Sequence, residues 1–184
     1  MKVLGIVGSP RMKNTYNMTK TVLKKTGFYY EIILLKDKDI KPCNDCRNCH
    51  TTFKCKIKDD MQEIYKKLEN ADIIVLASPT YFHNVSELIK NFMDQCLPFY
   101  FSKKLQNKKA LLLTAGGFED TLEFDKYGKC LWHNQEKECI KRCLKSMEFF
   151  CECLDIEVIE SVYALHDNWK ETQTELEKIG KNLK

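Results

Sequence analysis

Glycine and proline are scarce in this chain, at 7 and 4 of 184 residues. That scarcity excludes a collagen-like chain and leaves no low-complexity linker at which two domains could divide. No apolar run approaches the ~20 residues of a membrane-spanning helix. The N-terminal MKVLGIV holds an apolar stretch of only about five residues, too short for a secretory signal. Charge of one sign is missing too: 30 Lys and Arg stand against 26 Asp and Glu, a net +4. The lysines fall in scattered pairs such as Lys24/Lys25, Lys66/Lys67 and Lys108/Lys109, which read as solvated surface rather than a nucleic-acid footprint. Neither the Walker glycine-lysine motif nor a Gly-x-Gly-x-x-Gly fingerprint occurs. What remains is a single cytoplasmic domain spanning 1–184, with no membrane or nucleic-acid partner, long enough to bury a core from its 43% hydrophobic residues.

Cysteine is the residue in excess, with 10 copies. In a reducing compartment crowded thiols point to metal binding or redox chemistry rather than to disulfides. Four lie within thirteen residues, as Cys43-x2-Cys46-x2-Cys49-x5-Cys55. The two-residue spacings let three thiolates converge on one inorganic core from a single loop, and the fourth closes the site, as in iron-sulfur ligation. Four thiolates suit tetrahedral zinc equally well, and the same residues left as thiols are the third reading. The other six, at 96, 130, 139, 143, 151 and 153, read as small core hydrophobes. His50 reads as a solvated neighbour of Cys49.

Along the chain, short apolar runs alternate with helical periodicity. Strands are expected at 2–7 (KVLGIV), 28–35 (FYYEIILL), 72–77 (DIIVLA), 109–114 (KALLLT) and 157–163 (EVIESVY). Helices are expected at 14–26, from Asp59-Asp60 through Leu68, at 86–97 with Ser86 as N-cap, at 134–154, and at 167–182. Residues 36–58 show no period and read as a loop, the Cys-rich part spanning about 41–57. Nearly continuous apolar strands mean that both faces are covered. The pattern predicts an α/β fold, a doubly wound five-stranded parallel sheet with helices on both faces. Such sheets bind ligands beyond the C-terminal ends of their strands. In the loop GSPRMKNT, backbone amides at a helix start join the Ser9 and Thr15 hydroxyls, the Asn14 amide and the Arg11 guanidinium, a combination suited to phosphate. Residues 79–85 (PTYFHNV) offer aromatics for a flat ring, and Gly116-Gly117 lets backbone approach a ligand closely.

In combination GSPRMKNT, SPTYFHNVSELIKNFMDQ, TAGG and the cysteine motif resemble the flavodoxin-like NADPH-dependent FMN reductases, and among them the iron-sulfur flavoproteins. The resemblance runs from Lys2 to about Ala164. It implies that Ser9, Arg11, Asn14 and Thr15 hold the FMN phosphate. Pro79, Thr80, Tyr81, Phe82, Asn84 and Val85 would flank the isoalloxazine and ribityl chain, with Ala115, Gly116 and Gly117 on the ring's other edge. It implies further that Cys43, Cys46, Cys49 and Cys55 hold a [4Fe-4S] cluster, that ferredoxin or NAD(P)H donates electrons for small acceptors, and that the chain forms a homodimer or homotetramer. No side chain is assigned a catalytic role. Rival readings are a metal-free NAD(P)H-dependent FMN or quinone reductase and a non-enzymatic electron carrier or redox sensor. The chain departs from the family pattern in a shorter first loop carrying Met12-Lys13, and in lacking Gly-Gly-Gln-Glu after the third loop, where Glu119 and Asp120 stand.

Overall fold

A computed structural model describes residues 1–117, 125–128, 136–165 and 169–183. Five parallel strands, β1 (Lys2–Val7), β2 (Tyr29–Leu34), β3 (Ile73–Tyr81), β5 (Lys109–Ala115) and β6 (Glu157–Ala164), form one sheet in the order β2-β1-β3-β5-β6. The expected doubly wound sheet is therefore present. One addition is β4 (Asn84–Val85), which folds back antiparallel on the end of β3, pairing Thr80 with Val85 and Tyr81 with Asn84. Two residues are too few to show a strand period.

Alternate residues of each central strand feed two cores. Leu4, Ile6, Ile74, Leu76 and Leu112 pack under α3 (Met61–Asn70), α4 (Glu87–Gln95) and α6 (Glu136–Cys153), meeting Ile64, Phe92 and Met147. Val3, Val7, Val75, Leu111 and Leu113 pack on the other face, against Met18 and Val22 of α1 (Asn14–Lys25) and Leu176 of α7 (Trp169–Asn182). Each such fully buried aliphatic side chain contributes roughly 1.5–3 kcal/mol, which is why the strand sequences are apolar throughout. Among the described residues no helix is long and apolar enough to cross a membrane.

Two expected boundaries differ. The helix expected over 86–97 ends at Gln95, and a separate α5 (Leu97–Ser102) follows with Pro98 in its first turn. Proline lacks the N–H that would continue the α4 ladder and is at home in the first turn of a new helix. The segment expected to be loop contains a 3-10 turn at Leu35–Asp37 and a short helix, α2 (Asn48–Thr52). No residue of α2 is buried, so it has no apolar stripe to betray it. Instead, Asn48 Nδ2 donates to Thr52 Oγ1 at 2.8 Å and to the Lys54 carbonyl at 2.9 Å. Ser86 caps α4 as expected, its Oγ accepting the Ile89 N–H at 3.3 Å.

Candidate functional site

A cavity of about 830 Å³ opens beyond the C-terminal ends of β1, β3 and β5, within the usual range for a small-ligand site. The β1–α1 loop forms one wall. Gly8 donates its N–H to the Ala77 carbonyl at 2.9 Å and accepts the Ser86 hydroxyl at 2.6 Å. A Cβ on Gly8 would stand 2.1 Å from Ile89 Cγ1, so only glycine lets this loop lie against α4. Ser9 Oγ donates to the Arg11 carbonyl at 2.7 Å, closing the turn. At the start of α1 no side chain caps the backbone, and the first turn holds no acidic residue. Uncapped amides and the positive end of the helix dipole lie beside Arg11 and Lys13, all groups that attract an anion.

The β3–β4 hairpin forms the second wall. Its two turn residues, Phe82 and His83, have φ of 50° and 63°. Left-handed backbone at both positions of a two-residue turn matches the twist of the strands but is ordinarily met by Asn or Gly, and costs these side chains roughly 1–2 kcal/mol each. The result is a fully exposed Phe82 at the lip, and His83 beside the cavity. The third wall is the end of β5 with Gly116 and Gly117, backed by Glu136 and Cys139 from the first turn of α6. Cys139 Sγ lies 3.1 Å from His83 Nδ1. Burial, and secondly the charge of Glu136, push the Cys139 thiol up, so it stays protonated beside that nitrogen.

Of the residues expected to hold a cofactor, Ser9, Arg11, Asn14 and Thr15 line the first wall, Pro79, Thr80, Tyr81 and Phe82 the second, and Ala115, Gly116 and Gly117 the third. Asn84 and Val85 stand behind it. Asn84 Oδ1 accepts from the Val85 N–H at 2.8 Å and from Ser146 Oγ at 2.9 Å, and Val85 packs into the core. Lys13, His83, Glu136 and Cys139 complete the wall without having been singled out as cofactor residues. Lys13 and His83 were visible inside the quoted motifs. Glu136 and Cys139 carried no local signal, because α6 reaches the cavity only by tertiary packing on the sheet and the β3–β4 hairpin.

The four clustered cysteines line one small cavity of about 20 Å³, between the loop after β2 and the end of α4. All four are free thiols; Cys43 is exposed and the other three are half-buried. Burial pushes the Cys49 thiol up, and its neighbours Cys55, Cys43 and Cys46 add to the effect. Four thiols on one small cavity are a donor set that a cation stabilises, so the residues fit an iron-sulfur core or zinc in kind. Among the described residues no three His, Cys, Asp or Glu side chains stand close enough to hold a metal ion as they are placed. The loop is held at its base. Asp59 Oδ2 accepts from the Lys41 N–H at 2.9 Å, Asp60 Oδ2 from the Asp39 N–H at 2.9 Å, and Asp59 Oδ1 from the Met61 N–H at 3.0 Å. Gln95, 2% exposed, donates to the Lys41 carbonyl and to Asp59 Oδ2, and its Oε1 lies 3.6 Å from Cys55 Sγ. The Tyr65 hydroxyl, held protonated by burial, donates to the Gln95 carbonyl at 2.6 Å. Gln95 and the Ser86 cap beside the larger cavity mark opposite ends of α4, about 14 Å apart at 1.5 Å per residue.

Of the remaining cysteines, Cys96, Cys143 and Cys151 are buried core residues, as expected. Cys139 is buried but forms cavity wall, and Cys153 is exposed, being two residues from Cys151 and so turned to the opposite side of α6. Cys130, like Glu119 and Asp120, lies outside the described residues.

Strand order, crossover helices and a cavity at the C-terminal sheet edge define a flavodoxin-like α/β protein. The fold is shared with an NAD(P)H:quinone oxidoreductase from Methanothermobacter marburgensis (TM-score 0.73, 14% identity, 100% of this chain and 96% of that one) and with a flavodoxin from the domain Archaea (TM-score 0.60, 14% identity, 100% and 96%). Residues 1–125 match the NADPH-dependent FMN reductase family, and the chain belongs to it. It is 43% identical over 112 residues to an iron-sulfur flavoprotein of Methanocaldococcus jannaschii, covering 59% of this chain and 58% of that one. Another, from Methanosarcina thermophila, is 33% identical over 122 residues, 64% of each chain. An Archaeoglobus fulgidus iron-sulfur flavoprotein is 42% identical over 98 residues, 52% of this chain and 48% of its own. The chain thus spans roughly half to just under two thirds of the length of these relatives.

Proposed function

We propose that this protein is an FMN-dependent oxidoreductase of the iron-sulfur flavoprotein type, taking electrons from NAD(P)H or ferredoxin and delivering them to small acceptors. The observation that carries this reading is the polarity of the large cavity. Arg11, Lys13 and the uncapped start of α1 provide an anion seat on one wall, while the aromatic lip and the Gly116-Gly117 backbone leave a slot for a flat ring on the others. A ligand with a phosphate tail and a planar head fits that division, and membership of the FMN reductase family favours FMN.

In this reading Ser9, Arg11, Asn14 and Thr15 hold the phosphate; Pro79 to Phe82 with Ala115, Gly116 and Gly117 enclose the ring, and Asn84 and Val85 support the hairpin from behind. Cys43, Cys46, Cys49 and Cys55 hold a [4Fe-4S] cluster, favoured by the four-thiol cavity and by the names of the relatives. Bound flavin handles one or two electrons and a cluster handles one, so the pair converts between donor types. The chain's own residues bind, orient and shield. They need supply no nucleophile. A homodimer or homotetramer, which would let the exposed cysteine loop of one copy face the cavity of another, belongs to the same proposal, as does a single 1–184 domain.

Anaerobic purification followed by an absorption spectrum and iron, sulfide and zinc analysis tests it. The expected result is flavin with about four irons and four sulfides per chain. Yellow protein without iron overturns the cluster and leaves a metal-free flavin reductase. Zinc in its place makes the loop structural, and protein without flavin overturns the whole reading.

A further inference from the structure

Glu136 is a buried acid in the cavity wall, 6% exposed. Its Oε1 accepts the Gly117 N–H at 3.0 Å and the Thr80 hydroxyl at 3.0 Å. One carboxylate from α6 therefore ties together the ends of β3 and β5, whose last paired residues are Pro79 and Ala115. The fit is tight: a Cβ on Gly116 would stand 2.2 Å from the same oxygen. Among the described residues both bonded partners are uncharged, so they satisfy the carboxylate without neutralising it. Among the described residues of the cavity, Arg11 and Lys13 belong to the β1–α1 loop, and His83 stands on the β3–β4 turn beside Cys139. The cavity is thus bipolar, positive where a phosphate would sit and negative beside the Gly116-Gly117 slot.

We propose that Glu136 sets the redox potential of the flavin, making FMN held in this cavity a stronger reductant than the same pocket would without the charge. The inference rests on the FMN reading above. Reduction adds electrons to the ring, and a fixed negative charge in a partly desolvated wall raises the energy of the electron-rich form relative to the oxidised one. The same field acts on the nearby Cys139, where Glu136 is the second cause, after burial, that holds the thiol protonated. Linkage makes the effect reciprocal: a group that opposes reduction weakens the hold on reduced FMN relative to oxidised FMN by the same factor. Glu136 acts as a positioning residue as well, since its two hydrogen bonds hold Thr80 and Gly117 in place around the slot.

The test is an anaerobic redox titration of the FMN-loaded full chain against a reference dye, followed at the flavin absorbance, for wild type, Glu136→Gln and Glu136→Asp. Gln keeps an acceptor oxygen for Gly117 and Thr80 and removes the charge. Expected is an upward shift in Glu136→Gln, equivalent to reduced FMN gaining about tenfold in affinity relative to oxidised FMN, or about 30 mV for a two-electron couple. Glu136→Asp stays within about threefold of wild type, because it keeps the charge. A Glu136→Gln couple that is unmoved, or moved down, with FMN bound overturns the proposal. Should Glu136→Gln not fold, Glu136→Met, uncharged and of similar length, takes its place with the same expected upward shift, and an unmoved or lowered couple there overturns the proposal. Wild-type protein that fails to bind FMN in a fluorescence titration removes the parent reading together with this one, whereas FMN binding with an unmoved Glu136→Gln couple removes only the role of Glu136.

Discussion

The large cavity and the cysteine loop are built by different physics. Every wall of the cavity is an extension of the sheet: β1, β3 and β5 end there, and the side chains just below, Val7, Ala77 and Leu113, are fully buried. Its shape forms with the core, and its polar contacts, such as Ser86 to Gly8 and Glu136 to Gly117, are few and short. The cysteine loop has less apolar support. No residue of its helix α2 is fully buried, its main ring contact is His50 against Phe101 at 4.5 Å, Asp45, Arg47 and Phe53 sit in left-handed conformations, and the base is held by Asp59, Asp60 and Gln95. A pocket made by the core is preorganised, whereas a loop held by a few polar latches is one that an ion bound at its thiols would order further.

That contrast breaks most visibly at the anion seat. Replacing Arg11 with Ala removes a charged partner from FMN phosphate and is expected to weaken FMN by about 10- to 100-fold, with riboflavin, which lacks the phosphate, nearly unaffected. Parallel fluorescence titrations of the two flavins check it; equal losses for both would show that the wall had collapsed rather than lost one contact. Gln95→Leu probes the other region. It leaves the Lys41 carbonyl and Asp59 without their buried donor and is expected to cost about 2 kcal/mol of stability. Trypsin should then cut faster at Arg47, Lys54 or Lys56, while FMN affinity holds. An equal fall in flavin affinity would mean that the two regions are one cooperative unit.

The smallest effect concerns the core that carries the cavity. Burial pushes the Cys151 thiol up to about 12 from an ordinary 9.0. The folded state keeps this proton longer than the unfolded chain does, so the stabilisation is complete below pH 9 and is lost as pH rises toward 12. Denaturant melts at pH 8 and pH 10 should show wild type losing about 1 kcal/mol more than Cys151→Val. Parallel losses in the two proteins would contradict the burial effect.

The sheet was legible because its residues answer to local rules. Five apolar runs of strand length, the Ser86 cap and the acidic start of α3 each follow from a side chain and its near neighbours. The β3–β4 hairpin and α2 were not, the first because it is two residues long and turns on Phe82-His83 in place of Asn-Gly, the second because it has no buried face. In the larger cavity, the residues from the β1–α1, β3–β4 and β5 loops were legible as motifs. Asn84 and Val85 stand outside the lining because their side chains are engaged elsewhere, Asn84 with Ser146 of α6 and Val85 in the core.

By itself the sequence determined the alternation of strands and helices, the phosphate-suited loop and the four-cysteine spacing, since each is encoded within about a dozen consecutive residues. Only the tertiary structure decided that Glu136 and Cys139 join Thr80, His83 and Gly117 at one wall, and that Gln95 fastens the cysteine loop to α4. These partners lie 19 to 56 residues apart, and no periodicity links them. They meet because a parallel sheet carries every second element back to the same edge, where the helix packed on each strand chooses which side chain enters the site.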